Sequence, residues 1–161
     1  YKQQILESKS TVVRLTFNDQ GKISISHRPP STPPDKVNLQ IAKERVDSQN
    51  RFLFHKTTNR AFYDQHLKHA REQGYWECLF LNQQNHLTEG CITNLFVKIN
   101  DRWITPPLDD GLLPGVWRKN FIREVQAIEQ SLTLDLLSQA EKIVLGNSVQ
   151  GGFTVHSFHT E

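Results

Sequence analysis

Four prolines, Pro29, Pro30, Pro33 and Pro34, fall within six residues. Proline fixes φ and has no N–H to give, so this stretch cannot be the interior of a central strand or a helix. It reads as a linker that divides the chain into a short leading piece, 1–36, and a longer piece, 37–161. In the leading piece Val12, Val13, Leu15 and Phe17 sit among polar residues. The turn signal Asn18-Asp19-Gln20-Gly21 follows, and then Ile23 and Ile25 alternate with Lys22, Ser24 and Ser26. This pattern predicts a β-hairpin, with Gly21 supplying positive φ at the turn.

The longer piece alternates between the two periods. Val37, Leu39 and Ile41 predict a short strand. Tyr63, Leu67 and Ala70 recur at helical spacing over 59–73, and Gly74 ends that helix. A strand over 75–81 and a polar turn over 82–86 come next. The segments 94–99 and 103–105 form a hairpin around Asn100-Asp101. A loop rich in Pro and Gly over 105–114 opens into a helix over 115–127, with Trp117, Phe121, Val125 and Ile128 on one stripe. Thr133 caps a short helix running to 140. An apolar strand over 142–145 ends at Gly146-Asn147-Ser148, and 153–158 is a last strand. The order is β-rich, helix, hairpins, helices, β. That is a mixed α and β domain, not a regular βαβ repeat.

The bulk properties exclude several classes. With 161 residues the chain can bury one real core. A net charge of +2 with scattered Lys and Arg lacks the clustered basic face of a nucleic-acid binder. No apolar run is long enough to span a bilayer, and Tyr1-Lys2-Gln3-Gln4 has no apolar signal core. Only Cys78 and Cys91 occur, and a chain of this size does not need them as a disulfide, so a reducing cytoplasm is expected. The chain opens on Tyr1 and contains no methionine, so a fragment or trimmed chain is expected.

Four places carry potential chemistry. Pro114-Gly115 opens directly into the helix, where free N–H groups and the helix dipole favour an anion and Gly115 allows close approach. Every helix has such a start, so the feature alone is also an ordinary helix entry. Glu89 stands beside Gly90 between apolar stretches. If buried it needs a partner such as a protonated pyridine nitrogen; otherwise it is a surface residue in a turn. Lys56 follows an apolar run and precedes a helix. Desolvation or nearby cations would make its amine a nucleophile for a carbonyl, although most lysines are simply solvated. Asn147 and Ser148 follow a buried strand and could offer a hydroxyl and an N–H, or form a plain turn.

Together and in this order the residues resemble a known family. The text Val46-Asp47-Ser48, His55-Lys56-Thr57-Thr58-Asn59-Arg60, Leu87-Thr88-Glu89-Gly90, Thr93-Asn94-Leu95-Phe96, Thr105-Pro106-Pro107-Leu108, Gly111-Leu112-Leu113-Pro114-Gly115-Val116 and Asn147-Ser148-Val149 is similar to the class IV aminotransferases, the fold-type IV pyridoxal-phosphate enzymes. Within them it most resembles the aminodeoxychorismate lyases, especially those fused to component I of aminodeoxychorismate synthase. The likeness runs from about Val12 to near Val155. It implies the C-terminal pseudo-barrel domain of that fold, with the smaller N-terminal domain mostly missing beyond the hairpin. It implies pyridoxal 5′-phosphate as cofactor, held covalently by Lys56, which also shuttles protons. Glu89 would face the ring nitrogen, and Asn94 would sit near the cofactor. The phosphate would lie on the helix start at Gly115, Val116 and Trp117, with Asn147 and Ser148 completing the cup. Arg14, on the first strand, would meet a substrate carboxylate or remain a surface charge.

The resemblance implies a small-molecule substrate, a homodimer, and fusion to or association with aminodeoxychorismate synthase. The reaction it favours converts 4-amino-4-deoxychorismate to 4-aminobenzoate and pyruvate. The alternatives are an aminotransferase for branched-chain or D-amino acids, and an inactive remnant that serves as a binding or dimerisation module. The pairs His66 and His69, and His156 and His159, lack the companions of a zinc site, so no metal is expected. Cys78 and Cys91 are expected to pack as small apolar residues, with Cys91 able to approach the site. His55 and Arg60 flank Lys56 and could lower its pKa or cover the helix start.

Overall fold

The computed structural model describes residues 10–160, which form two compact units, one ending at Thr32 and one starting at Pro33. The first unit is a hairpin of β1 (Val12–Phe17) and β2 (Ile23–Arg28) in antiparallel register, with Val12 opposite Arg28 and Phe17 opposite Ile23. Its turn holds Gly21 at φ 75° and is closed by the Asn18 side chain, which accepts from the N–H of Lys22 at 2.8 Å.

The second unit is built on eight strands. They are β3 (Val37–Val46), β4 (Glu77–Asn82), β5 (Leu87–Gly90), β6 (Asn94–Ile99), β7 (Arg102–Thr105), β8 (Ile128–Glu129), β9 (Lys142–Asn147) and β10 (Gly151–Thr160). The ladder runs β5-β4-β3-β10-β9-β6 and β6 returns to β5, so six strands close a barrel; β7 and β8 extend outward from β6. Closure removes the open edges an isolated sheet would present. The pairings β3–β4 and β3–β10 are parallel, and the other barrel pairings are antiparallel. The β5–β6 pairing rests on one pair, Glu89 opposite Asn94.

Strand alternation sorts the apolar residues into two clusters. Leu39, Ile41, Leu79, Leu81, Leu95, Val97 and Leu145 share one face with Leu132 and Leu137. Ala42, Cys78 and Phe80 form the second with Leu53, Ala70 and Cys91. Each fully buried leucine contributes roughly 1.5–3 kcal/mol. Helix α1 (Ala61–Glu72) covers the second cluster with Tyr63, Leu67 and Ala70, the predicted stripe, and Gly74 beyond it takes φ 88°. Its aromatic side chains meet Phe80, with Phe62 and Tyr63 at centroid distances of 5.1 and 5.2 Å.

Helix α2 (Val116–Val125) lays Trp117 and Phe121 against Phe96 at 5.5 and 4.8 Å. Ile128 does not join that stripe. Gln126 takes φ 52° and ends the helix, and Ile128 passes into β8, exposed, beside Ile104. Helix α3 (Leu134–Ser138) is capped as predicted, Thr133 Oγ1 accepting from the N–H of Leu136 at 3.3 Å. The final strand starts at Gly151, two residues before the predicted 153. No helix among the described residues is long and apolar enough to cross a membrane.

Candidate active site

Glu89 lies on β5, a strand that the run Leu-Thr-Glu-Gly does not announce, and all four of its residues are buried. Asn94 Nδ2 donates to Glu89 Oε2 at 3.0 Å and also to the carbonyl of Leu113 at 3.0 Å, and the Leu113 N–H lies near enough to Glu89 to favour its charged form. The Leu112-Leu113-Pro114-Gly115 segment is thereby tied to the barrel seam. Gly115 is the N-cap residue of α2, and a side chain there would drive into Asn94 Oδ1. The glycine is thus fixed by close approach to Asn94, with φ at −63°.

The start of α2 has no side-chain cap on its first N–H groups. Val116 is exposed there, and the Trp117 indole lies over Gly146 and Gly152 on β9 and β10. Arg118 is buried and donates to the carbonyl of Pro106 at 2.7 Å and to Glu129 Oε1 at 2.5 Å, which holds the helix start against the preceding loop. Asn147 spends its side chain on structure. Its Oδ1 accepts from the N–H groups of Val149 and Gln150, both at 2.9 Å, and its Nδ2 donates to the carbonyl of Ile92 at 3.1 Å. Ser148, next to it, is exposed.

Lys56 lies in the stretch between a 3₁₀ turn, Arg51–Phe54, and α1. Its side chain is exposed, so the expected desolvation is not what the structure shows. Arg60 precedes α1, donates to the carbonyl of Cys91 at 2.5 Å, and stacks over the Tyr63 ring at 5.5 Å. His55 is exposed.

Burial dominates the electrostatics. It pushes the Glu89 carboxyl up to about 8, with the Leu113 N–H and the charges of Arg60 and Lys56 pulling the other way and the Glu77 charge adding to the rise. Burial likewise raises the Tyr63 phenol, whose hydroxyl has no hydrogen-bond partner, and Glu89 adds to it.

The structure thus gathers Glu89, Asn94, Gly115, Val116, Trp117 and Asn147 around the β5–β6 seam, with Ser148 adjoining and Lys56 within electrostatic reach of Glu89. Arg14 is exposed on β1, in the other compact unit. Among the described residues no group of three or more His, Cys, Asp and Glu could hold a metal ion. His66 instead packs on Phe62 and Phe80 and meets Glu44 at 3.2 Å. Sequence reading gave no part to Glu77, whose fully buried carboxylate faces the turn after β5. A glutamate inside an otherwise apolar strand was the available signal.

Comparison with known proteins bears on what such an arrangement does. The family pattern of the class IV amino-transferases matches residues 5–158. A Schizosaccharomyces pombe protein named "Putative aminodeoxychorismate lyase" is 28% identical over 154 residues, 91% of this chain and 67% of its own length. A solved structure from Mesorhizobium loti, titled a "Putative amino-acid aminotransferase", is 33% identical with a TM-score of 0.83, over 99% of this chain and 78% of that one. One from Legionella pneumophila, titled "Putative 4-amino-4-deoxychorismate lyase", is 30% identical with a TM-score of 0.80, over 84% of this chain and 53% of that one.

Proposed function

The chain belongs to the class IV amino-transferases, and from that premise we propose that it is the cofactor-holding domain of a lyase that splits 4-amino-4-deoxychorismate into 4-aminobenzoate and pyruvate with pyridoxal 5′-phosphate. The observation that carries the reading is Glu89. It is a buried carboxyl whose hydrogen-bond donors are neutral and whose pKa is pushed up to about 8, so what it lacks is a cation in contact. A protonated pyridine nitrogen is a donor of that kind, and the residues present fit the group. When bound, the cofactor ring withdraws electrons from the substrate carbon that carries the amine.

The chain's own residues divide the remaining work. Glu89 keeps a proton on the ring nitrogen, and Asn94 holds its carboxyl in place. The uncapped N–H groups of Val116 and Trp117 and the exposed Ser148 hydroxyl are offered to phosphate oxygens. Trp117, packed over the β9–β10 turn, limits water on that side. Lys56 supplies the amine that attaches the cofactor and then takes the proton from the amine-bearing carbon. Departure of the enolpyruvyl group leaves an aromatic ring, which drives the step.

The deciding measurement is pyruvate release from 4-amino-4-deoxychorismate with no 2-oxo acid present. A strict need for a 2-oxo acid acceptor would replace the lyase by an aminotransferase, the reading favoured by the 33% identity to the Mesorhizobium protein. A homodimer, associated with the synthase that makes the substrate, belongs to the same proposal and is checked by sedimentation.

A further inference from the structure

The turn Gly90-Cys91-Ile92-Thr93 is a hub. Oε1 of Glu77 accepts from the N–H groups of Cys78 and Cys91, both at 3.0 Å. Oε2 accepts from the N–H of Ile92 at 3.2 Å and the hydroxyl of Thr93 at 3.0 Å. The Cys91 N–H also reaches the Cys78 carbonyl at 3.1 Å. The turn's carbonyls are engaged from other directions: Cys91 by Arg60, Ile92 by Asn147, and Thr93 by the N–H of Gly90 at 2.8 Å. Gly90 makes room for the carboxylate, since a Cβ there would lie 2.8 Å from Glu77 Cδ.

Burial raises the Glu77 carboxyl above the usual carboxylate range, while the four donors that face it, from Cys78, Thr93, Ile92 and Cys91, pull the other way and favour the ionised form. A buried anion is rarely the most stable filling for a core; well-packed apolar residues often do as well or better. What this one fixes explains its presence. The turn joins β5 to β6, and the only residues those strands pair are Glu89 and Asn94.

We propose that Glu77 is a positioning residue of the candidate active site: its carboxylate fixes the turn over 90–93 and, through that turn, the placement of Glu89 against Asn94. The inference deepens the functional reading and rests on it only for what Glu89 faces when a ligand is bound. The charged and titratable groups around Glu89 are Arg60, Lys56, Glu77 and Tyr63.

The test is a side-chain carboxyl NMR titration of Glu89 in the whole protein without added cofactor. Glu77→Gln removes a like charge and loosens the turn, and should lower the Glu89 midpoint by about one unit or more. Amide exchange at Cys91 and Ile92 should speed up with it. Thr93→Val keeps both carboxyl groups and removes one donor, so the smaller downward shift expected there comes from the loosened turn and not from deleting Glu77. Leu137→Ala, in the other core cluster, should lower Tm and leave the midpoint where it is. A midpoint that moves only in Glu77→Gln, or in neither variant, overturns the proposal. If Glu77→Gln does not fold, Thr93→Val decides. Failure to bind pyridoxal phosphate or to release pyruvate would sink the functional reading and leave this result unaffected.

Discussion

Strand β6 takes part in two hairpins that are held shut by opposite means. The β6–β7 hairpin is local: three register pairs, from Val97–Ile104 to Ile99–Arg102, and a two-residue turn in which Asn100 and Asp101 adopt φ 49° and 61°. Asn and Asp tolerate that conformation, and the turn is exposed. The β5–β6 hairpin has one register pair and a mostly buried turn, held by Glu77, Arg60 and Asn147 from outside the hairpin. A turn that only reverses the chain can be specified by its own residues. A turn that aims a buried carboxyl is specified by residues brought from elsewhere in the fold.

The sharpest way to test the contrast is Glu89→Gln, which keeps the shape of the seam and removes its charge. Cofactor should still bind, while kcat for pyruvate release falls by about a hundredfold or more, with KM less affected. Near-normal kcat would mean that another group faces the ring nitrogen. The next effect is on stability against pH, without cofactor. Because the folded pKa of Glu89 is raised from 4.5 to about 8, the folded state holds a proton that the unfolded chain has already lost. Stability is therefore full below the unfolded value and is lost as pH rises through the folded one, by on the order of a few kcal/mol. Thermal unfolding from pH 5 to 9 should show that decline, and Glu89→Gln should flatten it.

Gly90→Ala attacks the pinned turn sterically, since the new Cβ would lie 2.5 Å from Thr93 Oγ1. It should cost roughly 1–3 kcal/mol in denaturant unfolding. The counterpart on the local turn is Asp101→Gly, which keeps positive φ accessible and deletes only the exposed contact with Lys98 at 2.7 Å. Its Tm should be indistinguishable from that of the parent chain. Equal losses for the two substitutions would erase the distinction.

The same contrast explains what could be read from the sequence. The β6–β7 hairpin, the Tyr63-Leu67-Ala70 stripe and the Thr133 cap were legible because each is a local pattern. Strand β5 was not, because Thr88, Glu89 and Gly90 spell a polar turn and are buried only by the closing of the barrel. Asn94 was named through family likeness; it bonds to Glu89 across the turn and to Leu113 nineteen positions on, and neither partner is marked by a local pattern. Glu77 stood in view within a predicted strand, but its four donors come mostly from a turn more than a dozen residues later. Lys56 shows the limit from the other side: it follows closely on the apolar run Phe52-Leu53-Phe54, yet the side chain is exposed.

The parallel pairing of β3 with β10 sets the order in which the ring can be assembled. Ser157 donates to the side chain of Asn38 across 119 positions, so one flank of β3 must wait for the last strand of the sheet. Closing so long a loop costs entropy before any contact is made, and folds dominated by such contacts are slow. The turn over 90–93 and its carboxylate are separated by less than twenty residues. During synthesis the bonds between Glu77 and the turn can therefore form while the barrel is still open, and the later strands, which bring Asn147 to the Ile92 carbonyl, complete a joint already begun.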